Sequence, residues 1–206
     1  MHSLDNSGLG GTKMKPNKVL IAIPNIGNIR SELAEFLLRI RGDSNVVVHF
    51  SHARPITSNR NIIVKKFMET DCEYLLMIDS DVVPPLNILD MRNNKKEICG
   101  AYVCTNKGQN IIPLLMQLED NKEYSIKNIK KNSLNEVDAT GTGCLMIHRS
   151  VFEKMQKPYF EVFFDEEGIQ KEGSDFYFCR KAKEKEIKIY VDTRFAAVHY
   201  QTFPLL

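Results

Sequence analysis

Short apolar runs alternate with segments of helical periodicity through the first half of the chain. The predicted elements, in order, are a strand at Lys18–Ile23, a helix at Ser31–Ile40, a strand at Val46–Phe50, a helix capped by Thr57 or Ser58 with Ile62, Ile63, Phe67 and Met68 facing inward, and a strand at Tyr74–Ile78. The last strand is apolar at every position, as expected of a strand covered on both faces. This order predicts an α/β domain with right-handed crossovers and a mostly parallel central sheet flanked by helices.

The second half of the chain is less regular. It predicts strands at Ile98–Cys104, Ile111–Leu118, Cys144–His148 and Ile187–Val191, a charged hairpin or loop at 119–136, a helix opened by a Ser150–Glu153 capping box and running to Lys157, a mobile loop at 163–173, and a helix from a Ser174 cap to about Lys185. No internal repeat divides the chain, so one domain is predicted over 18–206. Residues 1–17 are polar and glycine-rich, and we expect them to be disordered or derived from an expression vector.

Composition narrows the class of protein. The chain has 206 residues, 43% of them hydrophobic and 26% charged, which is typical of a soluble globular domain. A net charge of +2 does not indicate nucleic-acid binding, and no apolar run approaches the length of a membrane span. The five cysteines form no Cys-x-x-Cys pair, and the N-terminus has no export signal, so a cytoplasmic location is predicted.

The segment with the clearest chemical meaning is EYLLMIDSDVVPP, residues 73–85. Asp79 and Asp81 follow a buried strand and project to the same side of an extended backbone, while Pro84 and Pro85 end the strand. Doubly wound folds bind ligands at the carboxyl ends of their strands. Two carboxylates there are suitable ligands for Mg²⁺ or Mn²⁺, which share their remaining positions with water and phosphates. An isolated D-x-D is also compatible with a solvated turn.

Together with three further segments, this motif resembles the nucleotide-sugar glycosyltransferases of the GT-A fold, family 2 type. The other segments are SNRNIIVKKF before it, and ATGTGCLMIHRSVFEKM and EGSDFYFCRKAKEKEIKIYVDT after it. The resemblance covers residues 18 to about 200. It implies a single GT-A (Rossmann-like) domain, with a nucleotide-binding half at 18–104 and an acceptor-side half at 105–206.

The resemblance also implies a set of site residues. Asp81 corresponds to the direct ligand of a divalent cation, Mn²⁺ or Mg²⁺, Asp79 to a residue near the ribose or a metal-bound water, His199 to a late metal ligand, and Asp175 to the general base of inverting members. Residues matching donor contacts are Pro24, Asn25, Arg54, Asn59, Arg60, Asp79 and Ser80, and those on the acceptor side are Gly141, Thr142 and Gly143. The implied donor is a nucleoside-diphosphate sugar, with UDP as the expected nucleotide, and the implied acceptor is a hydroxyl of a glycan, lipid or protein.

Two departures from the family pattern limit these assignments. Ser174 precedes Asp175 where Glu is commoner, and there is no Q-x-x-R-W motif, which argues against a processive polysaccharide synthase. Asp175 has another explanation, because an aspartate in the first turn of a helix is stabilising without any catalytic role. Likewise, His199 is compatible with a structural role, and Gly141 and Gly143 with a tight turn.

Two other functions remain open at this stage. DSDVV also matches the haloacid-dehalogenase phosphatases, in which Asp79 would be the nucleophile and Asp81 the acid/base residue. That motif normally ends the first strand of its fold, whereas a complete strand–helix–strand–helix unit precedes it here. The other alternative is a nucleotide-sugar binding module without turnover. No Walker A or G-x-G-x-x-G sequence is present, so P-loop and dinucleotide-binding functions are excluded.

Overall fold

The structure, a computed structural model, describes residues 15–107, 110–120 and 124–201. Its strands are β1 (Lys15–Pro24), β2 (Val46–Ser51), β3 (Cys72–Ile78), β4 (Val82–Val83), β5 (Ile98–Tyr102), β6 (Cys104–Lys107), β7 (Asn110–Pro113), β8 (Leu115–Leu118), β9 (Tyr124–Ile126), β10 (Leu134–Val137), β11 (Ala139–Thr140), β12 (Cys144–His148), β13 (Phe163–Phe164), β14 (Gln170–Glu172), β15 (Ile189–Ala196) and β16 (Val198–His199). Its helices are α1 (Ser31–Ile40), α2 (Ile56–Met68), α3 (Arg149–Lys154) and α4 (Ser174–Lys183), with a 3₁₀ helix at Ile88–Asn94. Most of the predicted N-terminal tail, residues 1–14, lies outside the described residues, and β1 begins at Lys15 instead of Lys18.

The central sheet has seven strands in the order β10-β15-β5-β12-β3-β1-β2. The α/β class is confirmed, but the prediction of a mostly parallel sheet is wrong, because the sheet is mixed. Strand β12 lies between β5 and β3 and runs antiparallel to both, and β10 runs antiparallel to β15. Parallel neighbours require a crossover connection, usually a helix. The chain instead enters β12 directly from β11 through Gly141–Gly143, and so it runs in the opposite direction.

The first half forms as the hydrophobic pattern predicts. Strand β1 sends Val19 and Ile21 into one apolar cluster, which contains the buried face of α1. Its alternate residues Leu20 and Ala22 join a second cluster, which contains the buried face of α2. The sheet is therefore covered on both sides, which accounts for the burial of nearly every residue of β3.

Several local predictions are wrong in detail. Helix α2 has Pro55 as its N-cap instead of Thr57 or Ser58, and Ile62 is exposed. The ring of His148 caps α3 by accepting from the Ser150 N–H, in place of the predicted capping box, and α3 ends at Lys154. Gly173 is the N-cap of α4, which ends at Lys183.

The predicted loops contain additional strands. Segment 163–173, predicted as a mobile loop, holds the β13–β14 hairpin. Segment 119–136 contributes β9 to a small antiparallel sheet with β8 and β11, and its end enters β10 of the central sheet. In the described part of the chain, no helix combines the length and apolar character needed to cross a bilayer.

An ion pair between a buried carboxylate and a half-exposed arginine supports strand β15. Asp192 is completely buried and accepts hydrogen bonds from the Nε and Nη2 of Arg194, at 2.8 and 2.5 Å, and from Asn94 Nδ2 at 2.8 Å. Burial alone would raise the pKa of Asp192, but the hydrogen bonds from Arg194 and Asn94 lower it overall. The carboxylate is thus held in its charged form, where it satisfies donors from two elements.

We expect Asp192→Asn to destabilise the fold by about 2 kcal/mol at neutral pH, because a buried charge-assisted network loses its acceptor. A carboxyl whose pKa is lower in the folded state stabilises the fold above its unfolded pKa, and this contribution is lost as pH falls through the folded pKa. Urea unfolding of both proteins from pH 7 down to pH 3 measures the difference, which is expected to shrink toward acid. Asp90→Asn, at an exposed carboxylate, is the control. A difference independent of pH would contradict the assignment to the Asp192 charge.

Candidate active site

A cavity of about 250 Å³ opens at the carboxyl ends of β1 and β3. Its lining includes every residue that the sequence predicted for donor binding, namely Pro24, Asn25, Arg54, Asn59, Arg60, Asp79 and Ser80, together with Asp81. These residues come from three separate segments of the chain. They meet because parallel strands β1 and β3 end at the same edge of the sheet.

Arg60 connects the two carboxylates on which the predicted chemistry depends. It lies on α2, is 5% exposed, and its Nη1 donates to Asp175 Oδ1 and, at 2.7 Å, to Ser174 Oγ. Its Nη2 lies 3.5 Å from Asp79 Oδ1. Burial lowers the pKa of Arg60, but the charges of Asp175 and Asp79 outweigh burial and raise it overall. The guanidinium therefore remains charged and lies between the two acids.

Asp79 is held at the base of the site. Its backbone N–H donates to the Gly143 carbonyl at 3.0 Å, and its Oδ1 is buried without a hydrogen-bond partner. Burial raises the pKa of Asp79, Arg60 opposes this, and the nearby charges of Asp175 and Asp81 raise it further. A Cβ on Gly143 would lie 3.5 Å from Asp79 Oδ2, so the glycine leaves the second carboxylate oxygen uncovered.

Asp81 and His199 face each other across a two-residue ladder. Strand β16 pairs with β4, which places His199 Nε2 3.4 Å from Asp81 Oδ2. The other ring nitrogen, Nδ1, lies 3.0 Å from the Cys104 carbonyl, and a carbonyl can only accept, so Nδ1 carries a proton. In the neutral ring, Nε2 then has a free lone pair that faces the Asp81 carboxylate. Such a pair of acceptors is favourable only with a cation or a second proton between them.

This donor set fits a divalent cation with incomplete protein ligation. A carboxylate oxygen and an imidazole nitrogen with a fixed tautomer are common metal ligands, and Asp79, whose Oδ1 has an ion pair with Arg60 but no hydrogen bond, is close enough to Asp81 to feel its charge. Among the described residues, no group of three His, Cys, Asp or Glu side chains forms a metal site by itself. Water and a bound diphosphate would have to supply the remaining ligands, as is usual for Mg²⁺.

Asp175 presents its two oxygens to different surroundings. Oδ1 accepts from Arg60 and from Ser174 Oγ, the latter at 3.2 Å. Oδ2 accepts only a 3.3 Å hydrogen bond from the Thr142 N–H. A Cβ on Gly141 would lie 3.8 Å from Oδ2, so Gly141 and Thr142 of the predicted acceptor-side residues border this oxygen, whereas Gly143 lies beside Asp79. Oδ2 can therefore accept a further hydrogen bond, for example from a hydroxyl group.

The far end of the cavity is a rigid polar wall. Asn59, 1% exposed, donates from Nδ2 to the Ser51 carbonyl at 3.0 Å, and the same carbonyl accepts from the Asn25 N–H at 2.9 Å. Asn59 Oδ1 is buried without a hydrogen-bond partner. Arg54 is exposed at the rim.

Sequence reasoning did not identify Arg30 and Tyr200, which lie beside the D-x-D segment. The Arg30 N–H donates to the Ser80 carbonyl at 3.1 Å, the Tyr200 N–H donates to the Asp81 carbonyl at 2.9 Å, and the guanidinium of Arg30 lies 4.4 Å from the centre of the Tyr200 ring. These residues belong to segments that are remote in sequence, and no local pattern marks them. Buried polar side-chain atoms without a hydrogen-bond partner concentrate here: of the described residues, Arg30, Asn59, Arg60, Asp79 and Thr142 have such atoms around the site, and Asn106 has one further away.

Comparison with known proteins gives a fold but no family. No family model matches the chain, and no match is found among curated protein sequences. Among solved structures, the protein A197 from STIV matches with a TM-score of 0.65 and 22% identity over 90% of this chain and 86% of that one. GalNAc-T7, crystallised with UDP, GalNAc and Mn²⁺, matches with a TM-score of 0.57 and 13% identity over 90% of this chain. The chain spans 43% of the length of GalNAc-T7.

A further match is a glycosyltransferase involved in the glycosylation of the major capsid of PBCV-1. Its identity is 17% over 66% of this chain and 62% of that one, and its TM-score of 0.38 is too low to support a conclusion. The protein thus has an α/β fold similar to the folds of A197 and GalNAc-T7. At these identities the similarity concerns the fold alone.

Proposed function

We propose that the protein is a metal-dependent glycosyltransferase that moves a sugar from a nucleoside diphosphate, UDP in the first instance, to an acceptor hydroxyl with inversion. One observation carries the proposal: all the residues predicted to contact the donor line one cavity at the strand ends, and Arg60 joins Asp79 of that cavity to Asp175. The GT-A-like fold supports the same function. The presence of UDP and Mn²⁺ in the GalNAc-T7 crystals makes that nucleotide and that cation the first to test.

The donor side of the mechanism rests on the cavity. The nucleoside lies against Pro24, Asn25 and the wall formed by Asn59, whose free Oδ1 accepts a hydrogen bond from it. Arg54 at the rim contacts the phosphates. Asp81, His199 and Asp79 would hold the divalent cation, which supplies Lewis-acid stabilisation of the charge on the departing diphosphate.

The acceptor side rests on Asp175. Arg60 and Ser174 hold Oδ1, so Oδ2 receives the proton of the acceptor hydroxyl as the new glycosidic bond forms. Gly141 lacks a side chain that would cover Oδ2, and the Thr142 N–H orients it. The acceptor enters opposite the departing diphosphate, as inversion requires. Asp175 therefore acts as general base, and Arg60 as the residue that positions it.

The two alternatives make different predictions. A haloacid-dehalogenase-like phosphatase would hydrolyse a generic phosphate ester with Asp79 as nucleophile. In this protein Asp79 follows β3, which is preceded by a complete β1-α1-β2-α2 unit, whereas the phosphatase motif ends the first strand of its fold. The Asp79 N–H donates to the Gly143 carbonyl, and its Oδ1 lies near Arg60. A binding module without turnover would retain donor binding and be indifferent to substitution of Asp175.

Nucleotide binding gives the direct test. We expect UDP with Mn²⁺ to raise the melting temperature by roughly 5–10 °C, because a ligand at ~100 times its dissociation constant stabilises a fold of this size by about 2.7 kcal/mol. Thermal unfolding is measured with UDP, GDP, CDP and dTDP, each with and without Mn²⁺. Asp81→Ala should lose the metal-dependent shift, and Asp90→Ala, at an exposed carboxylate, should retain it. No shift with any nucleotide, combined with phosphate-ester hydrolysis, would favour the phosphatase.

A further inference from the structure

A second cavity, of about 700 Å³, adjoins the candidate active site on the acceptor-side half. Residues of β5, β6, β7, β15 and β16 line it, and it shares His199 with the D-x-D site. His199 donates from Nδ1 to the Cys104 carbonyl, and its other ring nitrogen faces Asp81, so one candidate metal ligand is part of the lining of this cavity. A ligand in this cavity would therefore lie beside His199.

The lining of this cavity has an unusual composition for the chain. Although 26% of all residues are charged, none of the described lining residues is Asp, Glu, Lys or Arg. Besides the His199 imidazole and the Cys104 thiol, the polar side chains of the lining are neutral amides and hydroxyls, and they include the tyrosines Tyr102 and Tyr200. Burying an ionised ligand against such a surface is costly, because no Asp, Glu, Lys or Arg of the lining compensates for its lost hydration, and the nearby Arg30 guanidinium is already stacked on the Tyr200 ring. The cavity therefore selects against charged ligands.

The amides at the cavity edge are pre-oriented, and one acceptor is left free. Gln201 Oε1 accepts from the Asn106 N–H at 3.2 Å, and Gln201 Nε2 donates to Thr105 Oγ1 at 3.0 Å. This network leaves Asn106 Oδ1 buried without a hydrogen-bond partner. An unsatisfied buried acceptor is paired by a ligand hydroxyl or N–H at a net gain. Ile111, 78% exposed, and Val198, 56% exposed, add apolar surface.

We infer that this cavity binds a neutral sugar, and that the acceptor of the proposed transfer is an uncharged glycan. A pyranose presents C–H faces to tyrosine rings and hydroxyl edges to amides, which is the combination of apolar and neutral polar groups found here. One hydroxyl donates to Asn106 Oδ1. The role of this sugar as acceptor rests on the proposed function, whereas the presence of a neutral-sugar site rests on the cavity alone.

Saturation-transfer NMR on the full chain with Mg²⁺ and UDP tests the inference. The probes are the methyl glycosides of glucose, galactose, mannose, N-acetylglucosamine and N-acetylgalactosamine, with methyl glucuronide as the charged counterpart of the glucoside. We expect at least one neutral glycoside to bind and the glucuronide to give no signal. Asn106→Ala should weaken the neutral glycoside about tenfold. Asn87→Ala is the matched control, since Asn87 is exposed and its side chain makes no capping hydrogen bond.

The other results would overturn the inference: no neutral glycoside binding, glucuronide binding as well as its neutral counterpart, or equal affinities in Asn106→Ala and the wild type. The UDP shift is measured on the same samples to separate this inference from the proposed function. Glycoside binding that depends on Asn106, without any nucleotide shift, would contradict the glycosyltransferase and leave the sugar site standing. A nucleotide shift without glycoside binding would contradict the sugar site alone.

Discussion

Asp175→Asn is expected to lower the rate of sugar transfer by about 10²–10⁴-fold while leaving donor binding unchanged. General-base catalysis contributes a factor of this size, and asparagine has the shape of aspartate without the basic oxygen. Asp175 lies across Arg60 from the donor cavity and is not part of its lining. The transfer rate with a UDP-sugar and the UDP-dependent shift in melting temperature measure the two effects separately.

Ser174→Ala provides a matched comparison for this prediction. It removes the hydrogen bond from Ser174 Oγ to Asp175 Oδ1 and the one that Ser174 Oγ accepts from Arg60, and it keeps the carboxylate and its ion pair with Arg60. We expect a loss of about tenfold or less in transfer. If Asp175→Asn retained the wild-type rate, Asp175 would not be the base, and the stabilising role of an aspartate in the first turn of α4 would be its whole function.

Arg60→Met is expected to destabilise the protein by about 3–5 kcal/mol, because it removes the cation that pairs with two partly buried carboxylates. The corresponding fall in melting temperature is roughly 6–20 °C for a chain of this length. Methionine keeps much of the volume of the arginine stem, so the loss reports mainly on charge. Thermal and urea unfolding without ligands measure it.

Combining this substitution with Asp175→Asn gives an internal check. Removing one carboxylate relieves part of the uncompensated charge, so the double variant should lose less stability than the sum of the two single variants. Arg54→Met, at the exposed rim of the same cavity, should cost little. Equal losses for Arg60→Met and Arg54→Met, or full additivity in the double variant, would show that Arg60 does not pair with both acids.

The sequence predicted the parts of the fold that local patterns determine. Helix α1 spans the predicted residues, and β3 is buried as its apolar run requires. Both were predictable because the amphipathic period of a helix and the apolar run of a buried strand are visible in a short contiguous stretch of sequence. The direction of β12 could not be predicted in this way. The pattern of its residues predicts a buried strand but not its direction. That direction depends on where the chain leaves the small β8-β9-β11 sheet and enters the central sheet.

In the candidate site, too, local sequence predicted some features, whereas others depend on long-range contacts. Asp79 and Asp81 were identifiable because they follow a buried strand, and the donor residues fall together because strand ends share one edge of the sheet. Arg60 was predicted as a donor contact, and the structure adds its pairing with Asp175, a residue remote in sequence. The direction of the Asp175 oxygens and the tautomer of His199 also depend on such long-range partners. The catalytic, donor and metal roles of these residues stay predictions.

The pairing of β16 with β4 has a consequence for biosynthesis. Asp81 lies in the first half of the chain, whereas His199 and Tyr200 are near its end, and the ladder between Val82–Val83 and Val198–His199 brings them together. During translation, β1, β2, β3 and their helices can fold as they leave the ribosome, but β16, which pairs with β4 beside Asp81, is still missing. A nascent chain therefore contains Asp79 and Asp81 well before His199 and Tyr200 have been synthesised, and the two halves of the candidate site can meet only after translation has passed β16.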